Sequence, residues 1–331
     1  MSITSVPNVT IADVEAAAEV LAGVAMRTPL VENSALNERS GGRVLLKAET
    51  LQRTGSFKFR GAYNKITSLP AQLRTQGILA WSSGNHAQGV AEAARLLGAP
   101  ATIVMPRDAP AIKIDNTRRL GAEVILYDRY NESREEIGAR IAHERGLAIV
   151  KPYDDPLVIA GQGTVGLEID EQCQRIGAEN DILLVNCSGG GLAAGCATAI
   201  AARSPATEIY AVEPQYHDDM ARSLAAGERQ TNPPDAPPTL CDALMARAPG
   251  EITFPIAREL LSGGLSVSDA EVKHAVRYAY EVLKLVVEPG GAASLAAVLS
   301  GRIECRGKTV CLILSGGNIS PGLLSEILAD P

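Results

Sequence analysis

Four short segments of this 331-residue chain bring together residue types that can do chemistry. The first is Thr54-Gly55-Ser56-Phe57-Lys58-Phe59-Arg60-Gly61. Lys58 stands between two of the chain's three phenylalanines, just after a Gly-Ser turn. An apolar setting disfavours the ammonium form, so an amine there is nucleophilic enough to form an imine with a carbonyl. The second segment, Ser82-Ser83-Gly84-Asn85-His86-Ala87, opens a stretch of helical pattern. Backbone N–H groups at a helix start attract anions, and hydroxyl and amide side chains add donors, so a carboxylate would be held well. The third, Ser188-Gly189-Gly190-Gly191-Leu192, lies between an apolar strand and a helix of small residues. Glycines let the main chain approach a phosphate, and the helix dipole favours its charge. The fourth, Ser315-Gly316-Gly317-Asn318, directly follows the apolar run TVCLIL. Ligands of open α/β sheets bind at the carboxyl ends of such strands, and a serine hydroxyl can donate to a heteroaromatic nitrogen without carrying charge.

The glycine loop by itself does not choose a cofactor. Gly189-x-Gly191-x-x-Ala194 also satisfies the dinucleotide fingerprint, with Glu213 ending the next strand at a suitable distance for a ribose contact. On that loop alone, a nicotinamide-dependent oxidoreductase stands beside other phosphate binders. A catalytically silent binding protein of the same fold is a third class.

The elements that must carry these segments alternate in type. Apolar runs predict strands over Arg43–Ala48, Gly77–Trp81, Ala101–Met105, Glu123–Tyr127, Ile182–Asn186, Glu208–Val212 and Thr309–Leu314. They lack strict alternation, as parallel strands buried on both faces do. Helical patterns fall between them, over Ala87–Leu97, Ile112–Leu120 and Leu192–Ala202 among others. Repeated βα units predict an α/β protein of two lobes, each with a mostly parallel twisted sheet flanked by helices. Residues 77–150 read as a small mobile substrate domain, and 1–76 with 151–331 as the large cofactor-binding domain. The Pro-rich stretch Gly227–Thr239 reads as a surface loop.

Composition narrows the function. The net charge of −7 and the absence of a densely basic run argue against nucleic acid. The N-terminal stretch lacks a basic segment followed by an apolar core, and no apolar run reaches membrane-spanning length, so a soluble cytoplasmic protein is expected. The six cysteines show no metal-type spacing and read as small buried hydrophobes.

Taken together, the motifs resemble one family over nearly the whole chain: Arg27–Leu30 (RTPL), Leu45–Ala62 (LLKAETLQRTGSFKFRGA), SSGNHAQG, Ala160–Ile169 (AGQGTVGLEI), SGGGL, Glu288–Ser294 (EPGGAAS) and LSGGN. This is the fold-type II pyridoxal-phosphate enzymes, in the serine/threonine dehydratase and serine racemase branch. The dinucleotide reading explains only one of these motifs.

The resemblance implies a role for each matched residue. Lys58 would hold pyridoxal phosphate as a Schiff base, with Phe57 packed against the pyridine ring. Gly189, Gly190, Gly191 and Leu192 would cradle the phosphate, Asn85 would bond the phenolic oxygen, Ser315 the ring nitrogen, and Glu288 would complete the cofactor site. A neutral serine partner leaves the pyridine largely unprotonated, which weakens the electron sink and favours early loss of a β-substituent. The implied reaction is β-elimination from a β-hydroxy-α-amino acid, giving a 2-oxo acid and ammonia. Ser83 would face the opposite side and relay a proton in racemase-like chemistry. Ser83, Asn85 and His86 would receive the α-carboxylate. Arg134 matches an arginine at the site's mouth, where it could pair with a second carboxylate, as in threo-3-hydroxyaspartate. Glu213, Asp219 and the backbone carbonyl of His217 would bind Mg²⁺ or another divalent ion. One departure bears on substrate: the family commonly has Gly after Asp in the loop of Thr239–Asp242, whereas this chain has Ala243. Serine racemisation and dehydration of a hydroxylated diamino acid, as in hydroxyectoine breakdown, therefore stay open. A homodimer is also implied.

Overall fold

The computed structural model describes residues 9–330, so the first part of the N-terminal stretch read for a leader lies outside them. Ten strands form two sheets: β1 (Leu30–Glu32), β2 (Arg43–Ala48), β3 (Ile78–Trp81), β4 (Ala101–Pro106), β5 (Glu123–Tyr127), β6 (Ala148–Ile149), β7 (Ile182–Asn186), β8 (Glu208–Pro214), β9 (Gly263–Val267) and β10 (Thr309–Leu314). The six-stranded sheet has the order β1-β2-β10-β7-β8-β9, and the four-stranded sheet the order β5-β4-β3-β6. Every pairing is parallel except β1 with β2. The expected α/β class with two parallel sheets is what forms.

All seven predicted strands are present, with small changes at their ends. Three strands went unpredicted, for a physical reason. β1 has only three residues and β9 (GGLSV) begins with two glycines, so neither offers an apolar run, while β6 is just two residues of the apolar stretch Leu147–Val150, too short to stand out as a strand. The six cysteines are buried and free, as expected of small core residues. Gly227–Thr239 is a loop, but it is not simply a surface one: Asn232 within it is 7% exposed and bonds into the interior. Among the described residues no helix is long and apolar enough to cross a membrane.

The helix that begins at Lys58 (Lys58–Thr67) is fixed by a charge network two residues further on. Arg60, 1% exposed, directs its guanidinium at two carboxylates. Its Nε and Nη2 donate to Glu49 at 2.9 and 2.8 Å, and its Nη1 and Nη2 to Glu168 at 2.7 and 3.0 Å. Lys47, wholly buried, donates to Glu168 at 2.5 Å, to Gln172 at 2.8 Å and to the Thr28 carbonyl at 2.8 Å. Two cations thus meet two anions, and the cluster is neutral. The same helix touches the long helix Pro156–Arg175 main chain to main chain. A Cβ on Gly161 would come within 2.6 Å of the Gly61 Cα, so neither position has room for a side chain. Replacing Arg60 by leucine would leave Glu49 charged and buried. An Arg60→Leu protein is expected to lose roughly 3–5 kcal/mol of unfolding free energy. Urea denaturation measures this, and an unchanged midpoint would show that the network does not hold the helix.

Candidate active site

Phe57 precedes the helix Lys58–Thr67 as its N-cap, and its N–H donates to the Ser315 carbonyl at 3.3 Å. A bridge between Ser56 and Gly316 runs alongside. The lysine segment and the end of β10 are therefore stitched together before any ligand arrives. Lys58 Nζ donates to the Pro152 carbonyl at 2.8 Å and lies 5.1 Å from the centre of the Phe57 ring. Burial pushes its ammonium down to about 8. With that value roughly a tenth of the amine is neutral at pH 7.

Ser315 is 6% exposed, and its Oγ accepts from Asn186 Nδ2 at 2.9 Å. That amide also donates to the carbonyls of Gly291 and Ile313, while its Oδ1 accepts from the Ser294 N–H at 2.6 Å. Asn186 is thereby locked, and the Ser315 hydroxyl keeps its own proton for another acceptor. The donor set suits a neutral ring nitrogen.

The glycine loop closes onto the helix Gly191–Arg203, which starts with no side-chain cap. Gly190 has φ +93, a left-handed conformation that side chains rarely adopt. A Cβ on Gly189 would collide with the Tyr153 ring. Thr253 Oγ1 and the Gly250 N–H both donate to the Gly189 carbonyl, at 2.6 and 3.1 Å, and hold the loop from behind. Uncapped N–H groups at a helix start, reached through bare glycines, suit a phosphate.

The helix Asn85–Leu96 also starts uncapped, with Gly84 as its N-cap residue. Asn85 Nδ2 donates to Glu288 Oε1, and Asn85 Oδ1 accepts from Asn318 Nδ2 at 2.8 Å, so the amide is held from both ends. His86 is 2% exposed, and its Nε2 meets the Val150 carbonyl at 2.9 Å. A carbonyl only accepts, so Nε2 carries the proton and Nδ1, buried without a partner, is a lone-pair acceptor. Burial, and then the charge of Lys58, push this imidazole down to about 3. His86 is neutral, and only its backbone N–H can donate to a carboxylate.

One cleft of about 830 Å³ is lined by Phe57, Lys58, Ser83, Asn85, His86, the loop Gly189–Leu192 and Ser315. Arg134 lines it too, as the first residue of the helix Arg134–Arg145, with its Nε donating to Glu135 at 2.8 Å. Burial pushes the phenols of Tyr127 and Tyr153 up, and the Arg134 charge opposes that rise. Ala243 lines the cleft with its methyl exposed.

Glu213, Asp219 and His217 lie together at the end of β8 and the start of the helix Asp219–Ala226. Both carboxylates are wholly buried. Glu213 accepts from the N–H groups of Met220 and Ala221 at 3.1 and 2.8 Å. Asp219 accepts from Asn232 at 2.6 Å through one oxygen, while Oδ2 has no partner. The His217 imidazole is spent on the Pro237 carbonyl at 2.8 Å. No group of three His, Cys, Asp or Glu side chains gathers among the described residues, so a cation here would depend on two carboxylates and main-chain or water oxygens.

Sequence reasoning missed several residues that shape this cleft. Asn186 and Asn318 fix Ser315 and Asn85, Pro152 receives Lys58, and the Tyr153 ring packs on the glycine loop. Asn318 was visible inside the SGGN motif, and Asn186 at a strand end. Nothing in the stretch Lys151–Asp155 signalled its role.

A family profile described as "Pyridoxal-phosphate dependent enzyme" matches residues 22–316. An L-threo-3-hydroxyaspartate ammonia-lyase from Pseudomonas sp. is 45% identical over 93% of this chain and 94% of its own length. An L-threonine ammonia-lyase from Thermotoga maritima is 41% identical over 97% of this chain and 78% of its own. Maize serine racemase superimposes with a TM-score of 0.91 at 37% identity, covering 98% of both chains. A Gly189→Ala protein would drive its methyl into the Tyr153 ring, so affinity for pyridoxal phosphate is expected to fall at least about tenfold, ~1.4 kcal/mol. Absorbance titration of the cofactor-free protein checks this, and unchanged affinity would remove the loop from the site.

Proposed function

Since the chain belongs to the pyridoxal-phosphate-dependent enzymes, we propose that it is an ammonia-lyase acting by β-elimination on a β-hydroxy-α-amino acid. The products are a 2-oxo acid and ammonia. One observation carries the reading: a lysine with a depressed pKa, an uncapped glycine loop and a neutral serine donor line a single cleft. Pyridoxal phosphate, when bound, supplies an aldehyde that captures an amine and a ring that draws electrons from the bonds at Cα. Lys58 would hold it, with Phe57 against the ring, Gly189, Gly190, Gly191 and Leu192 around the phosphate, Asn85 at the phenolic oxygen and Ser315 at the ring nitrogen. Glu288 supports Asn85 from behind.

Lys58 Nζ takes the α-proton in this scheme, an act that its near-neutral pKa suits. The substrate carboxylate lies against the N–H groups of the uncapped Asn85–Leu96 helix, with the Ser83 hydroxyl beside it. Ser83 is also the group that would return a proton from the opposite face, which is the basis of a racemase side activity. The β-hydroxyl leaves with a proton as water, and hydrolysis of the resulting enamine yields the 2-oxo acid and ammonia.

Substrate choice rests on the outer half of the cleft. Arg134 there favours a second carboxylate, in line with the 3-hydroxyaspartate relative. Ala243 adds a methyl to the lining of the same cleft, where it bears on whether a serine, a threonine or a hydroxylated diamino acid fits. Residues 77–150 serve as a small domain that moves over the cleft, against a large domain of 1–76 and 151–331. A homodimer in the cytoplasm completes the reading. The exposed apolar Met26, Leu51 and Val286 are surface available to a second copy.

The orphaned Asp219 Oδ2 and its wholly buried neighbour Glu213 fit a hard divalent cation, with the His217 carbonyl as a further oxygen.

Two experiments test these statements. Purified protein incubated with pyridoxal phosphate should turn yellow, and release 2-oxo acid from a panel of L-serine, L-threonine, both 3-hydroxyaspartate diastereomers and a hydroxydiaminobutyrate. Lys58→Ala should abolish turnover, and Arg134→Ala should impair only the dicarboxylic substrates. A colourless wild type or an active Lys58→Ala sinks the scheme. For the cation, EDTA should lower Tm and Mg²⁺ restore it, by about 2.7 kcal/mol at a hundredfold excess over Kd. Asp219→Ala should be indifferent to both, and a wild type equally indifferent would remove the metal.

A further inference from the structure

Lys113 is a second lysine of the cleft, and the scheme above gives it no task. It belongs to the helix Ala111–Arg119, whose Ile114 packs into the core around β3 and β4. The residue is 4% exposed, which is unusual for lysine and calls for charge compensation. Nζ donates to Asp242 Oδ2 at 2.7 Å and lies 3.6 Å from Glu288 Oε2. Neither carboxylate belongs to the four-stranded sheet; both come from the chain after β8. The lysine's methylenes lie along the loop before Asn85, since a Cβ on Gly84 would come within 2.7 Å of Lys113 Cδ.

Glu288 is 1% exposed, and its Oε2 has no hydrogen-bond donor. Among the described residues, the ammonium of Lys113 is the one cation paired with Glu288, while Oε1 accepts from Asn85. We propose that Lys113 is a positioning residue: by bridging Asp242 and Glu288 it ties the four-stranded sheet to the six-stranded one across the cleft, and it fixes the carboxylate that aims the Asn85 amide. The proposal rests on the functional reading only in giving Asn85 a bound cofactor to face.

The groups around Glu288 set a pH signature. Burial pushes its carboxyl up, Lys113 pulls it down, and Asp242 pushes it up again, with the Asn85 amide helping to hold the anion. Without Lys113 the carboxyl keeps its proton to higher pH, and a protonated Glu288 is a poorer acceptor for Asn85. Loss of function on acidification should therefore begin at a higher pH.

Lys113→Met, Lys113→Arg and Asp242→Asn proteins test this against wild type. The readouts are the pH profile of kcat/KM, the visible band of bound pyridoxal phosphate, and acrylamide quenching of Trp81. Trp81 is the chain's single tryptophan, and it ends β3 at the cleft wall. Lys113→Met should lose roughly tenfold to a hundredfold in kcat. Its acid limb should move up by about one to three pH units. The visible band should shift, Trp81 should be quenched more strongly, and Lys113→Arg should recover most of each change. Asp242→Asn should increase Trp81 quenching too, and it decides the matter if Lys113→Met does not fold. A Lys113→Met protein with the wild-type pH profile and band overturns the positioning role. Quenching is also compared in cofactor-free protein, where the bridge is made by the chain alone. Equal quenching there overturns the bridge, whereas a wild type without a visible band overturns the functional reading instead.

Discussion

The guanidinium of Arg60 is the contact on which the rest of the molecule depends. It sits two residues beyond Lys58 and bonds through two nitrogens each to Glu49, just after β2, and to Glu168, on the long helix Pro156–Arg175. Three remote pieces of chain are thereby held at one point. Buried charges of this kind cost much to desolvate, and they are tolerated only when every donor and acceptor is met. Here Lys47 supplies the second cation, and Thr28 donates its hydroxyl to Glu49 at 2.5 Å. Planar Arg geometry also explains why the cluster orients the helix and does not merely attract it.

That cluster gives a physical reason for sequence motifs with no evident chemistry. Thr28 lies in RTPL, Lys47 and Glu49 in LLKAET, Arg60 in FKFRGA, and Thr164 and Glu168 in AGQGTVGLEI. Each looked like part of a family pattern, yet none was expected to meet the others. The pairing of Arg60 with Glu168 spans more than a hundred residues, and no local pattern reports such a contact. The same holds for Gly61 against Gly161, where bare main chain was needed for two helices to touch.

What the sequence made legible were features with a local cause. Buried strands announced themselves as Val-, Ile- and Leu-rich runs, and the loops that follow them as glycine and serine clusters. The four chemical segments do converge on one cleft. Features with a non-local cause stayed hidden. β9 forms because β8 offers an edge, although Gly263 and Gly264 disfavour a strand. Tyr153 gains meaning only from the glycines it covers, and Lys113 reads as a surface lysine until Asp242 and Glu288 close over it. His86 shows the complementary gain: the sequence placed it among the groups that would receive a carboxylate, and the Val150 carbonyl, by engaging Nε2, leaves its backbone N–H for that task.

The position of β10 has a consequence for how the chain is made. It is the last strand in the sequence, yet it lies inside the six-stranded sheet, pairing with β2 on one side and β7 on the other. It also carries Ser315 at its end and anchors the backbone of Phe57. During vectorial synthesis, β2 and β7 therefore emerge with a gap between them and two unpaired edges exposed. No fragment that stops before Thr309 can assemble the lysine segment against its serine partner. Phe57 and Ser315 can meet only once this last strand lies between β2 and β7.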